Sequence, residues 1–227
     1  MIVLYGATRN LYPYLEGTIR SLLDHNKVEK IYIFAEDDEM PFDIPCEHEV
    51  MDVSGQTYFP PDGPNMKSIF TYMAMMRICA PELITDDKVI WLDVDTIVCD
   101  SLQPLWDIDM KDKWIAWCPE ECNTYRPFGN MYYNIGVCVM NLDQMRKDNV
   151  TQTAVAELNR QRYWCTDQCV MNLITPDEKM VAIPVRFNES FCCGYTYEPA
   201  IVHYAGKPDW YKNRDMFRVE YLDKYRS

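Results

Sequence analysis

Asp93 and Asp95 stand one residue apart in the apolar run Lys88-Val89-Ile90-Trp91-Leu92-Asp93-Val94-Asp95-Thr96-Ile97-Val98. Burying an ionised carboxylate costs on the order of several kcal/mol, and two close together cost more unless a cation shares them. Such a pair therefore opens into solvent or holds a metal. The run is β-branched and large apolar, follows a helical pattern and the polar turn Thr85-Asp86-Asp87, and predicts a buried strand of an α/β sheet. Side chains two apart on a strand share a face, so both aspartates can meet one divalent ion. An Asp-x-Asp alone is a common acidic turn and needs partners. Of the three histidines, His203 sits at a predicted strand end close to Gly206 and Lys207, whereas His25 and His48 have no such setting. A carboxylate pair, a histidine after a strand and a Gly-Lys loop can together hold a divalent cation and a diphosphate. Oxygen-rich ligation suits Mn²⁺ or Mg²⁺, and one imidazole tips the choice toward Mn²⁺.

The elements that must position these residues read as follows. Residues 2–5 form an apolar strand, 6–10 a loop, and Leu15, Ile19, Leu22 and Leu23 a helix in which Pro13 is tolerable in the first turn. Lys30-Ile31-Tyr32-Ile33-Phe34 is a second strand, so the opening is βαβ with a parallel sheet and a right-handed crossover. Ligands bind such sheets beyond the carboxyl ends of the strands, which places loop 6–10 and the aspartate pair on one edge. Residues 37–65 read as loop with one short strand near 50–53. Ile69, Phe70, Met73, Met76 and Ala80 form a helical stripe with Pro81 at its far end. Arg77 interrupts it, either as a surface arginine resting its stem on the core or as a phosphate or sugar contact. Strands follow at 114–117 and within 134–142, where Gly136 lets a ligand or backbone come close. Val155 and Leu158 mark a further helix. Thr166 is expected as the N-cap of the next, with Asp167 in its first turn, where the dipole favours the ionised form. A short strand at 201–203 enters a Gly/Pro loop, and Phe217, Tyr221 and Tyr225 predict a docking helix at about 213–226. With no repeat or linker, the chain reads as one domain, 1–227.

The 227 residues suffice for one sizeable core, and 48% hydrophobic with 25% charged residues is ordinary for a globular enzyme. The net charge of −13 argues against nucleic acid as a partner. The first residues lack the pattern of a signal peptide and no window has the length of a membrane span, so a cytoplasmic location is expected. Trp210, Tyr211, Lys212, Arg214, Phe217 and Arg218 offer a small basic, aromatic surface for membrane contact, diluted by Asp215, Glu220 and Asp223. The ten cysteines include Cys118/Cys122 and Cys165/Cys169, each four apart, but no C-x-x-C, and read as reduced, mostly buried thiols.

In chain order, Tyr72 to Arg77, Trp91-Leu92-Asp93-Val94-Asp95-Thr96, Asn134-Ile135-Gly136-Val137, Asp167-Gln168 with Asn172, and His203-Tyr204-Ala205-Gly206-Lys207-Pro208-Asp209-Trp210 resemble the motifs of glycosyltransferase family 8. These are retaining, metal-dependent transferases that include glycogenin and bacterial lipopolysaccharide galactosyltransferases. The resemblance implies a GT-A fold: α/β, with a Rossmann-like, mostly parallel central sheet and helices on both faces. It implies Asp93, Asp95 and His203 as metal ligands, with Asp93 also near the donor ribose. Ala7, Thr8 and Asn10 would line the uridine site, and Tyr12 stands one position later than the family's base-stacking tyrosine. Arg77 and Lys207, with Gly206, would meet the donor's sugar and diphosphate. Asn134, Asp167 and Gln168 would surround the transferred sugar.

The expected reaction is transfer of glucose or galactose from a UDP-sugar to an unknown acceptor, whether glycan, lipid-linked glycan or protein. Two-carboxylate glycoside hydrolysis is the competing use of two aspartates, but Asp93 and Asp95 are too close in sequence to flank a sugar. Retention with one poorly placed nucleophile candidate suggests front-face substitution, a covalent intermediate being the alternative, and Gln168, neutral and a weak nucleophile, takes a positioning role. A binding module without turnover and a nucleotide-sugar hydrolase or nucleotidyltransferase are the alternatives. Segments 37–65 and 118–131 are expected to shape the acceptor site.

Overall fold

The structure, a computed structural model, describes residues 1–68, 70–121, 131–207 and 209–226. The chain opens with β1 (Ile2–Gly6), α1 (Tyr12–His25), β2 (Lys30–Ala35) and β3 (His48–Asp52). Next come α2 (Tyr72–Met76), a 3₁₀ turn at Arg77–Cys79, α3 (Ala80–Leu83), β4 (Lys88–Leu92) and β5 (Thr96–Val98). Then follow α4 (Gln103–Trp106), β6 (Ile115–Pro119), β7 (Tyr133–Asn141), α5 (Leu142–Lys147), α6 (Val150–Arg160) and α7 (Thr166–Ile174). The order closes with β8 (Met180–Ala182), β9 (Ile201–His203) and α8 (Val219–Leu222).

Seven strands form one sheet in the order β3-β2-β1-β4-β7-β6-β8. β3, β2, β1 and β4 run parallel, β7 is antiparallel to both β4 and β6, and β8 is parallel to β6. Alternation along the strands feeds two cores. Leu4, Tyr32, Phe34, Val89 and Trp91 face one side, where Val150, Ala154 and Leu158 of α6 and Val170 and Met171 of α7 pack. Val3, Tyr5, Ile31, Ile33, Ile90 and Leu92 face the other, covered by Leu15, Ile19 and Leu22 of α1. Burial on both faces accounts for the continuous apolar runs of these strands. The GT-A architecture expected from the sequence, with helices on both faces of a largely parallel sheet, is the one found.

The strand expected to run unbroken from Lys88 to Val98 is two strands. β4 ends at Leu92, Asp93 to Asp95 make a turn, and β5 leaves the main sheet to pair antiparallel with β9, with Thr96 opposite His203. The turn lets two carboxylates leave an otherwise buried strand. The helix expected from Ile69 starts at Tyr72. Ile69 lies outside the described residues, and Phe70 is an exposed turn residue held by Ser68 Oγ. Pro81 does not end the helical run; it sits in the first turn of α3, where its missing N–H is not needed.

The C-terminal stretch covers β5 and β9. Tyr204, Trp210, Tyr211, Leu222 and Tyr225 form a third cluster with Ile97 and Val202. Tyr225 reaches α1: its hydroxyl donates to Asp24 at 3.1 Å, and its carbonyl oxygen lies where a side chain at Gly17 would stand. In the stretch expected as a helix at about 213–226, helical structure is confined to Val219–Leu222 and the remainder runs in turns.

Candidate active site

Register places the ends of β1 and β4 side by side, with Leu4 opposite Trp91, so loop 6–10 and the Asp93–Asp95 turn share the carboxyl edge of the sheet. The turn is held by backbone bonds. Asp93 N–H donates to the Gly136 carbonyl at 2.8 Å, Tyr204 N–H donates to the Asp95 carbonyl at 2.8 Å, and the Thr96 and Thr18 hydroxyls donate to the Asp93 and Val94 carbonyls. Pairing of β5 with β9 then delivers His203 from more than a hundred residues downstream. One ligand atom from each of Asp93, Asp95 and His203 lies within 4.8 Å of the others. His203 Nε2 is 3.3 Å from Asp95 Oδ1, while Nδ1 faces Asn188 Oδ1 at 2.7 Å. Two carboxylates and an imidazole converging on one point fit a divalent cation of the Mn²⁺ or Mg²⁺ type. His25 and His48 are exposed, and neither belongs to this cluster.

Gly136 makes the room. A Cβ there would stand 2.3 Å from His203 Cε1 and 2.8 Å from Asp93 Oδ2, closer than any real contact. The close approach expected of this glycine is thus to two of the three candidate ligands. Burial, the largest single influence on His203, pushes its pKa down, but the charge and hydrogen bond of Asp95 together with the Asp93 charge outweigh it, and the net shift is upward. For Asp95 burial acts upward, and the His203 charge and hydrogen bond outweigh it, leaving Asp95 below the usual carboxylate range.

Behind the turn lies Arg77, 3% exposed. It is not a surface arginine: its Nε is 2.7 Å from Asp167 Oδ2, its Nη1 is 3.2 Å from Asp93 Oδ1, and Nη1 also donates to the Ile135 carbonyl at 2.6 Å. The guanidinium packs over the Trp91 ring at 4.7 Å, and the Trp91 indole N–H donates to Asp93 Oδ1 at 2.7 Å. Arg77 therefore joins the Asp93 turn to the start of α7. Burial pushes the Asp167 pKa upward, against the pull of the Arg77 charge. Thr166 is not the N-cap: Cys165 occupies that position, Thr166 takes φ 33°, and its hydroxyl donates to Asp167 Oδ1 at 2.8 Å. The short side chain of Thr166 serves its acidic neighbour instead of the helix end.

Asn134 and Gln168 meet at Glu120. Asn134 Nδ2 donates to Glu120 Oε1 at 2.9 Å and Gln168 Nε2 to the same oxygen at 3.1 Å. Gln168 Oε1 accepts from the Ile135 N–H at 3.2 Å, and Asn172 bonds both the N–H and the carbonyl of Tyr133. Asn134, Asp167, Gln168, Arg77, Asp93, Asp95 and His203 thus fall in one contiguous network. Glu120, Asn188 and Trp91 belong to it as well. Trp91 and Asn188 have no spacing signal, and Glu120 follows a strand as many acidic residues do.

The first loop stands apart from this network. Ala7 extends the β1–β2 pairing by donating to the Phe34 carbonyl. Thr8 is buried and its hydroxyl donates to Oδ1 of the exposed Asn10 at 2.7 Å. Tyr12 is 5% exposed. Its hydroxyl donates to Asp37 Oδ2 at 3.0 Å and accepts from the Glu36 N–H at 2.9 Å. Gly206, at φ 69°, and Lys207 are exposed on the loop after β9, with Lys207 Nζ 5.2 Å from the Phe191 ring centre. Pro208 and most of segment 118–131, including Cys122, lie outside the described residues. The nine described cysteines are free thiols.

The family model of glycosyl transferase family 8 matches residues 2–213. The chain belongs to this family. Among related proteins, it is 24% identical to general stress protein A of Bacillus subtilis (strain 168), an alignment that covers 98% of this chain and 92% of that protein. It is also 24% identical to glycosyltransferase GlyE of Streptococcus pneumoniae serotype 4, over 82% of this chain but only 46% of that protein. Among solved structures, galactosyltransferase LgtC in complex with donor and acceptor sugar analogs superimposes with a TM-score of 0.76 at 18% identity. That match covers 100% of this chain and 95% of LgtC and establishes the shared GT-A fold. This family 8 glycosyltransferase has, among its described residues, no helix long and apolar enough to cross a membrane.

Proposed function

We propose that this family 8 glycosyltransferase moves a hexose, glucose or galactose, from a UDP-sugar to an acceptor with retention of anomeric configuration, using Mn²⁺ or Mg²⁺. The convergence of Asp93, Asp95 and His203 within 4.8 Å at the carboxyl edge of the sheet carries this reading. These residues would hold the cation, which when bound supplies Lewis-acid stabilisation of a diphosphate leaving group.

The chain's own residues do the rest. Ala7, Thr8 and Asn10 border the nucleoside, with Tyr12 and its partner Asp37 beneath. Lys207, on the exposed loop after β9, supplies a point charge to the diphosphate. Arg77 keeps Asp93 and Asp167 at a fixed separation, so that Asp167 can accept hydrogen bonds from sugar hydroxyls while Asp93 faces the ribose. Asn134 and Gln168, both tied to Glu120, line the place of the transferred sugar. Asp167 is engaged by Arg77 and Glu120 by two amides, so neither is presented as a nucleophile, which favours front-face substitution. The acceptor class stays open among glycan, lipid-linked glycan and protein. A cytoplasmic location is part of this reading.

The test is release of UDP from a panel of UDP-sugars, with and without Mn²⁺. The proposal expects metal-dependent UDP release that Asp95→Ala lowers by at least about a hundredfold, in the range of losing a main electrostatic group, in a protein that still folds. A nucleoside monophosphate as product, or wild-type turnover in Asp95→Ala, overturns it. Binding of UDP without release from any donor would mark a binding module.

A further inference from the structure

We propose that Asn188 is a positioning residue that holds His203 in its Nδ1–H tautomer, at the end of a polar relay anchored by Glu120 and the Gly136 N–H. The proposal rests on the reading of Asp93, Asp95 and His203 as a cation site. It follows from groups that have only one hydrogen-bonding role. A carboxylate accepts and a main-chain N–H donates. Glu120 Oε1 takes Asn134 Nδ2 at 2.9 Å, and the Gly136 N–H reaches Asn134 Oδ1 at 3.0 Å, so the Asn134 amide is oriented from both of its ends. The same Oδ1 receives Asn188 Nδ2 at 2.9 Å. That leaves Asn188 Oδ1 against His203 Nδ1 at 2.7 Å, and an amide oxygen accepts only. In the neutral ring the proton therefore sits on Nδ1, and the Nε2 lone pair points to the side where Asp95 Oδ1 stands 3.3 Å away.

The ring of a histidine free in water favours the opposite tautomer, with the proton on Nε2, which would aim an N–H at the cation. The relay excludes it. Glu120 is 4% exposed, Asn134 5%, Asn188 0% and His203 2%, so a reversed amide would be removed from bulk solvent. Turning either amide over would set two donors or two acceptors face to face in a buried site. Metal-ligating histidines generally donate their second N–H to an acceptor that fixes the ring. Here that acceptor is an asparagine whose own orientation is dictated two residues back along the relay. Glu120 also receives Gln168 Nε2, so one carboxylate orients both the histidine relay and a residue beside the transferred sugar.

The experiment is long-range ¹H–¹⁵N correlation NMR of the full chain, free of metal and at a pH above the imidazole titration, paired with calorimetric titration of Mn²⁺. With three histidines, two of them exposed, the His203 signals are separable. The wild type should show a protonated Nδ1 and an unprotonated Nε2. Asn188→Leu should lose that pattern and weaken Mn²⁺ binding about 10- to 100-fold. Asn188→Asp keeps an acceptor on the histidine side but sets its second oxygen against Asn134 Oδ1, so it should retain the Nδ1–H tautomer while binding Mn²⁺ more weakly than the wild type. A wild type protonated on Nε2 overturns the proposal with no variant needed, and so does Asn188→Leu with unchanged tautomer and affinity. Should Asn188→Leu not fold, the wild-type and Asn188→Asp spectra decide. Absence of UDP release from a protein with the expected tautomer would sink the transferase reading and leave the relay standing; the Nε2–H tautomer in an active enzyme would do the reverse.

Discussion

Gly136 lies against His203 so closely that one added carbon would fall 2.3 Å from the imidazole Cε1 and 2.9 Å from Nε2. β7 thus forms the floor of the proposed cation site, and its spacing from β9 is set by the absence of a side chain. Gly136→Ala must displace His203 or Asp93. We expect Mn²⁺ affinity to fall at least about tenfold, with a loss of about 1–3 kcal/mol in stability from overpacking. Calorimetric titration and urea unfolding measure the two. Unchanged Mn²⁺ affinity would contradict this placement of the site.

Arg77 is the only cation described between Asp93 and Asp167, and all of its charge is buried. Arg77→Met removes the charge both carboxylates share and leaves Asp93 only the Trp91 N–H and Asp167 only the Thr166 hydroxyl among the contacts described above. Removing one member of such a buried set costs about 3–5 kcal/mol. Arg77→Lys should recover only part of it, because one ammonium cannot reach both carboxylates as a planar guanidinium does. The midpoint of urea unfolding reads both variants. Wild-type stability in Arg77→Met would mean that Asp167 is protonated and needs no partner.

Glu189 is 0% exposed and takes two bonds from Arg218, at 3.1 and 3.0 Å. Arg218 also donates to the Thr196 carbonyl, and its backbone, just before α8, has φ 56°. This pair pins residues 209–226 to the strand that carries His203. Arg218→Met strands the glutamate. We expect a loss of about 2 kcal/mol, less than for a fully enclosed pair because Arg218 is 28% exposed. Hydrogen exchange should quicken across 209–226 ahead of the main sheet. Uniform quickening would show that the segment unfolds only with the whole molecule.

The His203–Asp95 pair makes stability depend on pH in the metal-free protein. The His203 pKa is raised above its unfolded value of about 6.5. Its contribution is therefore full below that value and lost as pH rises through the folded pKa. The Asp95 pKa is lowered below its unfolded value of about 3.9. Its contribution is full above that value and lost as pH falls through the folded pKa. The pair should stabilise most between about pH 4 and 6.5. The Tm difference between wild type and His203→Gln, followed from about pH 4 to 9, should shrink at the alkaline end, where Mn²⁺ binding strengthens as the proton leaves. A difference that grows with pH would reverse the assigned sign.

Much of this molecule was legible in its residues. Continuous apolar runs marked β1, β2, β4 and β7 because strands buried on both faces must be apolar throughout. Leu15, Ile19 and Leu22 marked α1 because a helix buries one stripe. Asp93, Asp95 and His203 were legible because two carboxylates beside an apolar strand demand a partner. What tertiary structure decided was every contact made across sequence. The strand expected to continue to Val98 breaks after Leu92, since β5 gains its partner in β9 only once the chain has folded back. Arg77, readable either as surface or as site, is buried because two acids from distant segments close on it. Cys165 rather than Thr166 precedes α7, since Thr166 bonds its neighbour Asp167. Asn188 and Glu120 carry no motif, because the relay they form has a geometry and no sequence period. Local chemistry is written in residue types and their spacing, whereas the direction of a buried hydrogen bond is settled only when donor and acceptor from remote segments share one dry space.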